Sequence, residues 1–203
     1  FDGTRRRLAM FAAQMVGFAT AMFGLVAADN FLLMYVFWEI TSLLSYLLVS
    51  YYAERASSRR AAQQALMVTA LGGLTMIMGI ILLGRQTGAW TFSDISAYEN
   101  FAQTPYVTVA IVLILAGALT KSAIVPAHFW LPGAMAAPTP VSAYLHSAAM
   151  VKAGIYLVAR LAPSMYEVAT WHVVVISLGV FTMLLGGWMA LKQRDLKLVL
   201  AYG

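Results

Sequence analysis

Four ionisable side chains lie in an otherwise apolar stretch between residues 115 and 154. They are two lysines, Lys121 and Lys152, and two histidines, His128 and His146. An ionisable residue at the centre of a bilayer costs about 2.5 to 3.5 kcal/mol to insert, so such residues face a protein interior or a water-filled path. Imidazoles, and amines removed from water, can exchange protons near neutral pH. These residue types therefore predict proton transfer inside a membrane.

An earlier apolar segment also contains an ionisable side chain, in this case a carboxylate. Glu39 is the only acidic residue between positions 31 and 52. At 100° per residue, Tyr35, Ser42 and Tyr46 fall on the same side of a helix as Glu39, where their hydroxyls could hold a short chain of waters. We therefore predict that Glu39 carries protons, with these three residues as accessory groups. The alternative is a protonated, hydrogen-bonded carboxyl with a structural role.

Simpler roles stay open for the other groups. A lysine near a helix end can extend to the lipid headgroups, and a single histidine in a helix is often a packing residue. His146 and Lys152 are six residues apart, which places them about 120° apart on a regular helix. A haem or metal site built on His128 and His146 has no third ligand at a suitable spacing. We therefore expect neither a metal nor a cofactor.

Prolines interrupt the segment that carries these groups. Pro126 removes a backbone donor and strains the preceding turn, so the helix that contains Lys121 should break between Lys121 and Pro126. Broken backbone at membrane depth is tolerated only where protein or a water-filled cavity covers it. The break therefore agrees with an ion path.

The composition excludes a soluble domain. Hydrophobic residues make up 62% of the 203 residues and charged residues 10%, whereas soluble domains carry about 25% charged residues. There is no cysteine, which excludes disulfides, thiolate-bound zinc, iron–sulfur clusters and cysteine nucleophiles. The net charge of +5 arises from short basic clusters between apolar runs, a distribution typical of membrane topology and not of nucleic-acid binding.

Six apolar runs are long enough to cross a bilayer, and a seventh begins near residue 198. Their expected bounds are 8–28, 31–52, 61–84, 106–131, 141–161 and 167–191, with a basic loop at 54–60. If the N-terminal end is cytoplasmic, nine Lys or Arg residues fall on that side and two, Arg85 and Arg160, on the other, as the positive-inside rule requires. We predict an all-α polytopic membrane helix bundle, a single transmembrane domain over residues 1–203 that is a fragment of a longer chain.

Three segments of the sequence resemble a known family. They are FWEITSLLSYLLVSYY (37–52), LAGALTKSAIVPAHFWLPGAMAAPTPVSAYLHSAAMVKAGIYLVAR (115–160) and DLKLVLAY (195–202). These segments are similar to the antiporter-like proton-translocating subunits shared by NADH:quinone oxidoreductase (complex I) and Mrp-type multisubunit Na⁺/H⁺ antiporters. The pattern FWEITS and the lysine in MVKAGIYL favour the antiporters, and among their subunits the large A-type subunit.

The resemblance implies roles for individual residues. It implies a buried glutamate paired across helices with a lysine on a broken helix, and these roles fall on Glu39 and Lys121. Further proton-transfer residues of the family correspond to His146, Lys152 and Lys197. The resemblance also implies a larger fold built on two inverted repeats, of which this sequence covers the end of one and the start of the next.

From these patterns we expect a subunit of a secondary transporter and not an enzyme. It would exchange H⁺ for a cation such as Na⁺ in the bacterial inner membrane, in a complex with other hydrophobic subunits and without nucleic acid. Because a row of lysines repels Na⁺, we assign protons to this path. One alternative is a proton-pumping membrane-arm subunit of complex I, driven by redox chemistry on partner subunits. Another is a scaffold subunit that transports nothing.

Overall fold

The computed structural model describes residues 5–99, 101, 104–144 and 149–203, and this part of the chain forms helices without a strand. The all-α bundle predicted from the sequence is confirmed. The α-helices in chain order are α1 (Arg5–Ala27), α2 (Phe31–Val49), α3 (Ala56–Thr87), α4 (Phe92–Ser96), α5 (Val107–Lys121), α6 (Trp130–Ala134), α7 (Thr139–Ser142), α8 (Met150–Met165), α9 (Ala169–Ala190) and α10 (Leu196–Tyr202).

Four of these helices are long and apolar enough to cross a membrane, namely α1, α3, α9 and α2 with the 3₁₀ turn that extends it to Tyr52. The span expected over 106–131 contains the predicted break, because α5 ends at Lys121. One expected bound is wrong. The predicted loop 54–60 is largely helical, because α3 begins at Ala56. The basic residues there indicate exposure to water, which the first turns of a helix provide as well as a loop does.

Glycines allow α3 and α5 to pack closely. A Cβ atom on Gly72 of α3 would lie 2.8 Å from Thr120 Cβ of α5. A Cβ atom on Gly117 of α5 would collide with Met76 and with the carbonyl oxygen of Gly72. Small residues permit such close approach of membrane helices. The contact places the end of α5, which carries Lys121, beside the middle of α3.

The interface between α5 and α8 depends on Gly154 in the same way. A Cβ atom at this position would overlap the backbone oxygen of Ala118 and the hydroxyl of Ser122. Because backbone cannot rotate away as a side chain does, we expect Gly154→Ala to lower the stability of the bundle by about 1–3 kcal/mol. Thermal unfolding of the purified full-length protein measures this effect. Gly17→Ala is the matched control, because its Cβ would meet Leu44 at an ordinary 3.6 Å; equal losses in the two variants would contradict the prediction.

At one end of the bundle, the turn between α1 and α2 joins three elements. Asp29 accepts a 2.8 Å hydrogen bond from the Ser93 hydroxyl of α4 and pairs with Arg160 of α8 at 3.2 Å. The Arg160 guanidinium also donates to the Val26 carbonyl at 3.2 Å and lies 4.4 Å from the centre of the Phe92 ring. Arg160 thus holds α8 against the α1–α2 turn and α4.

At the other end, the start of α1 meets the end of α2. Arg7 forms an ion pair with Glu54 at 3.0 Å and donates to the Tyr51 carbonyl at 2.8 Å. Hydrogen bonds from its own backbone amide and from Arg7 hold the pKa of the exposed Glu54 carboxyl below its usual value. Arg55 and Lys197 line a common cavity at this end, so three of the basic clusters found in the sequence lie near one another.

Candidate proton-transfer site

Lys121 is fully buried at the end of α5, and its side chain reaches across to α2. Its ammonium lies 2.6 Å from the Trp38 carbonyl oxygen, 2.6 Å from Thr41 Oγ1 and 3.0 Å from Ser42 Oγ. The Trp38 ring covers the ammonium, with its centre 4.5 Å from Nζ. An ammonium has three N–H donors, so these oxygens match its full capacity. We call residues Trp38, Thr41 and Ser42 the acceptor turn.

The sequence of α2 explains the geometry of the acceptor turn. The hydroxyls of Thr41 and Ser42 follow Trp38 by three and four residues, and both donate back to its carbonyl, at 2.7 and 3.2 Å. Serine and threonine inside helices commonly bond to the preceding turn in this way. With their hydrogens directed to Trp38, both hydroxyl oxygens can accept from Lys121. The buried charge is therefore solvated by uncharged oxygens, as burial of a charge requires.

The break that was predicted between Lys121 and Pro126 is present, and it begins at Lys121. Ala123 has a positive φ of 54°. Its N–H bonds to the Thr120 carbonyl at 3.2 Å, and the N–H of Ile124 bonds to the Leu119 carbonyl at 2.9 Å. This pattern of bonds is a Schellman motif, which satisfies the last carbonyls of a helix. Lys121 consequently lies in the last turn of α5, where a cation is favoured by the helix dipole.

Glu39 is adjacent to the acceptor turn but points towards α3. Its Oε1 atom is buried against Gly73, and within the described ranges it has no hydrogen-bond partner. Tyr35, one turn earlier on α2, lies beside the carboxylate. Glu39 is thus a half-buried carboxyl at the interface of two membrane helices.

Glu39 and Lys121 lie within electrostatic range of one another, but they do not form an ion pair here. The ion pairs among the described residues are Arg7–Glu54 and Arg160–Asp29. The pairing that the family resemblance implies therefore stays a prediction. In this structure the two charged groups point in different directions. The Lys121 ammonium is bound by the acceptor turn, whereas the Glu39 carboxylate lies against Gly73 of α3.

A cavity of about 440 Å³ lies beyond Lys121, between the broken segment, α8, α9 and α10. Lys152, in the first turn of the described helix α8, and His128 both line it. Ser122, next to Lys121 in sequence, also lines the cavity and donates to the Val151 carbonyl of α8 at 2.6 Å. The structure thus brings Lys152 and His128 to one cavity, and the backbone from 121 to 122 leads from the acceptor turn to its wall.

Lys197 lies in a different place. It is in the first turn of α10, whose N-cap Asp195 accepts a 2.8 Å bond from the Lys197 backbone. Its ammonium donates to the carbonyls of Ala137 at 3.0 Å and Met135 at 3.4 Å. Lys197 and Arg55 line a second cavity, of about 260 Å³, formed by the segment before α7.

The remaining predicted residues have varied positions. Ser42 belongs to the acceptor turn, whereas Tyr46 packs in the apolar cluster that contains Leu48 and Trp130. His146 lies outside the described residues. In the part of the chain that the structure describes, no three His, Asp or Glu side chains are placed to hold a metal ion.

Sequence reasoning missed Thr41, the Trp38 carbonyl and Gly73. Thr41 lies outside the polar stripe traced from Glu39, because two residues along a helix correspond to a rotation of about 200°. The order Trp-x-x-Thr-Ser was a usable signal, since hydroxyls three and four residues after a carbonyl can bond to it. Gly73 is one of several glycines in α3, and only the packed helices identify the one that faces the carboxylate.

Comparisons with known proteins agree with this architecture. The family described as "NADH:quinone oxidoreductase/Mrp antiporter, TM" matches residues 28–203. The A-type subunit of the Na⁺/H⁺ antiporter of Alkalihalophilus pseudofirmus is 48% identical over 95% of this chain and 24% of its own length. The A/B-type subunit of the probable K⁺/H⁺ antiporter of Rhizobium meliloti is 46% identical over 95% of this chain and 19% of its own length. The chain therefore spans about a fifth to a quarter of these curated relatives.

Solved structures show the same relationship. One chain of the Mrp complex from Dietzia sp. DQ12-45-1b superposes with a TM-score of 0.87 at 41% identity, over 93% of this chain and 21% of that chain. One chain of the membrane-bound sulfane sulfur reductase, an archaeal respiratory membrane complex, gives a TM-score of 0.84 at 26% identity, over 96% of this chain and 40% of that chain. With the match over residues 28–203, these similarities show that the chain belongs to the NADH:quinone oxidoreductase/Mrp antiporter transmembrane family.

Proposed function

We propose that this chain is part of a proton-translocating subunit of a multisubunit cation/proton antiporter. The observation that carries the proposal is the environment of Lys121, a fully buried lysine at a helix break whose ammonium is bound by uncharged oxygens. Glu39 lies in the same turn of α2 as those oxygens. A buried amine solvated in this way can take up a proton and release it again, as a relay requires. The relatives named as Na⁺/H⁺ and K⁺/H⁺ antiporter subunits support the exchange of a cation for H⁺.

The proposed path runs from Glu39 to Lys121 and on to Lys152. Ser122 and the Val151 carbonyl connect the neighbourhood of Lys121 to the cavity that Lys152 and His128 line. His146 continues as a proposed member of this path. Lys197 joins it from the second cavity, at the end of the bundle with the basic clusters. The protein is then a multi-pass subunit of the bacterial inner membrane with that end cytoplasmic, and its partners are other hydrophobic subunits.

Replacement of Glu39 by Gln tests the proposal. Gln has the shape of Glu but cannot exchange a proton, so we expect cation/proton exchange by the full-length complex in everted vesicles to fall at least about a hundredfold. Assembly of the complex should be unchanged. Glu54→Gln is the matched control, because Glu54 is an exposed carboxylate. Exchange at the normal rate in the Glu39→Gln complex would refute the assignment of Glu39 as a carrier.

A second function is a membrane-arm subunit of a respiratory oxidoreductase. The similarity to a chain of the archaeal sulfane sulfur reductase at a TM-score of 0.84 favours it. In that case the same residues pass protons, but redox chemistry on partner subunits drives them. Copurification separates the two functions. Small hydrophobic antiporter subunits support the antiporter, whereas flavin and iron–sulfur proteins support the respiratory complex.

A further inference from the structure

The Glu39 carboxylate rests against a backbone position that has no side chain. The three heavy atoms nearest to a Cβ atom built on Gly73 are Oε1, Cδ and Oε2 of Glu39, and Oε1 would overlap with it. Gly73 is itself buried. The space beside α3 in which this carboxylate lies therefore exists because residue 73 is glycine.

Gly73 differs from the glycines that pack helix against helix. A Cβ atom on Gly79 would lie 2.7 Å from the backbone oxygen of Ala110, and one on Gly154 would overlap the backbone oxygen of Ala118. Those substitutions push two helices apart. At Gly73 the obstacle is the far end of a flexible side chain, so a methyl group there displaces the carboxylate and leaves the helices in place.

The position of this carboxylate is not fixed by hydrogen bonding to Oε1. Among the residues that the structure describes, none donates to this atom. Tyr35 hydrogen-bonds to the carboxylate from one turn earlier, and the shape of the surrounding space, to which Gly73 contributes, determines where Oε1 lies. Proton transfer needs donor and acceptor within about 2.6–3.2 Å, or joined by one water, and a shift of about 1 Å can slow a positioned reaction about a hundredfold.

We propose that Gly73 is a positioning residue for proton transfer, because its missing side chain leaves the space that the Glu39 carboxylate occupies. This inference rests on the proposed role of Glu39 as a proton carrier. It predicts that position 73 tolerates Ala for folding but not for transport.

The first experiment uses Gly73→Ala in the full-length complex. We expect exchange in everted vesicles to fall about tenfold to a hundredfold, with a changed pH profile and normal assembly. Gly17→Ala is the matched control, since its Cβ would make an ordinary contact with Leu44. Exchange within about twofold of the unmodified complex in Gly73→Ala would overturn the proposal.

The second experiment shortens the side chain at position 39, so that a methyl group at position 73 has room again. Asp is one methylene shorter than Glu, so Glu39→Asp withdraws the carboxylate from residue 73 towards α2. Each single variant should be impaired, whereas the Gly73→Ala/Glu39→Asp complex should exceed Gly73→Ala alone by about fivefold or more, a coupling typical of residues in contact. Additive losses would overturn the proposal, because they would mean that the two residues act independently.

A third variant covers the case in which Gly73→Ala fails to assemble. In Gly73→Ala/Glu39→Ala the carboxylate is absent, so the added methyl group has room and assembly should return. Continued failure would show that Gly73 serves helix packing, which contradicts the proposal. This readout does not depend on transport, so it separates the failure of this inference from the failure of Glu39 as a proton carrier.

Discussion

Lys121→Met should abolish cation/proton exchange without unfolding the protein. Met fills a similar volume without a charge, and replacing a buried charge with an apolar side chain is often neutral or stabilising. The hydroxyls of Thr41 and Ser42 keep their bonds to the Trp38 carbonyl when the ammonium is gone. We therefore expect exchange to fall at least about a hundredfold while the thermal unfolding midpoint of the purified complex stays equal or rises.

Two further variants sharpen this prediction. Lys121→Arg keeps the charge, but a guanidinium does not release its proton and its planar fork does not fit three acceptors on one turn, so exchange should also be lost. Lys192→Met is the matched control, because the Lys192 side chain is exposed and its ammonium lies over the Trp188 ring. If Lys121→Arg transported normally, a fixed positive charge would suffice and Lys121 would not be a proton carrier.

The second large effect concerns stability. Thr41→Val with Ser42→Ala removes two of the three acceptors of a fully buried ammonium. Hydrogen bonds to charged groups contribute about 1.5–3 kcal/mol each, and an unsatisfied buried charge is costly. We expect the double variant to lose about 3–5 kcal/mol, measured as a lower thermal unfolding midpoint of the purified complex.

The same change should be nearly harmless when Lys121 is already Met. Without the ammonium, the two hydroxyls have no buried charge to solvate, so their removal should lower stability by less than about 1 kcal/mol. The comparison forms a double-mutant cycle in which the coupling measures the contact between Lys121 and the acceptor turn. An equal loss with and without the lysine would mean that Thr41 and Ser42 stabilise α2 alone.

Much of the site was predictable because charge is rare in apolar sequence. Glu39 and Lys121 could be recognised as intramembrane groups because each is ionisable and lies in a run long enough to span a bilayer. The helix break was also predictable, since Pro126 cannot continue a helix. The start of the break at Lys121 was not predictable, because it depends on Ala123 adopting a positive φ. This conformation is rare for alanine and cannot be recognised from the sequence.

Contacts between helices were the part that the sequence could not supply. Periodicity places residues on a face of one helix but does not say which helix that face meets. Thr41 and Gly73 acquire their roles only because α5 approaches α2 from one side and α3 from another. Lys152 illustrates the same limit. The sequence places it within the expected span 141–161, and only the packing of α8 against its neighbours shows that it lines a cavity with His128.

The contacts of Arg160 with Asp29, the Val26 carbonyl and the Phe92 ring fix one point of α8. Lys152 lies eight residues away on the same helix, about 12 Å at 1.5 Å per residue. A rotation of α8 by about 5° around that point would therefore displace the Lys152 backbone by about 1 Å, a distance that matters for proton transfer.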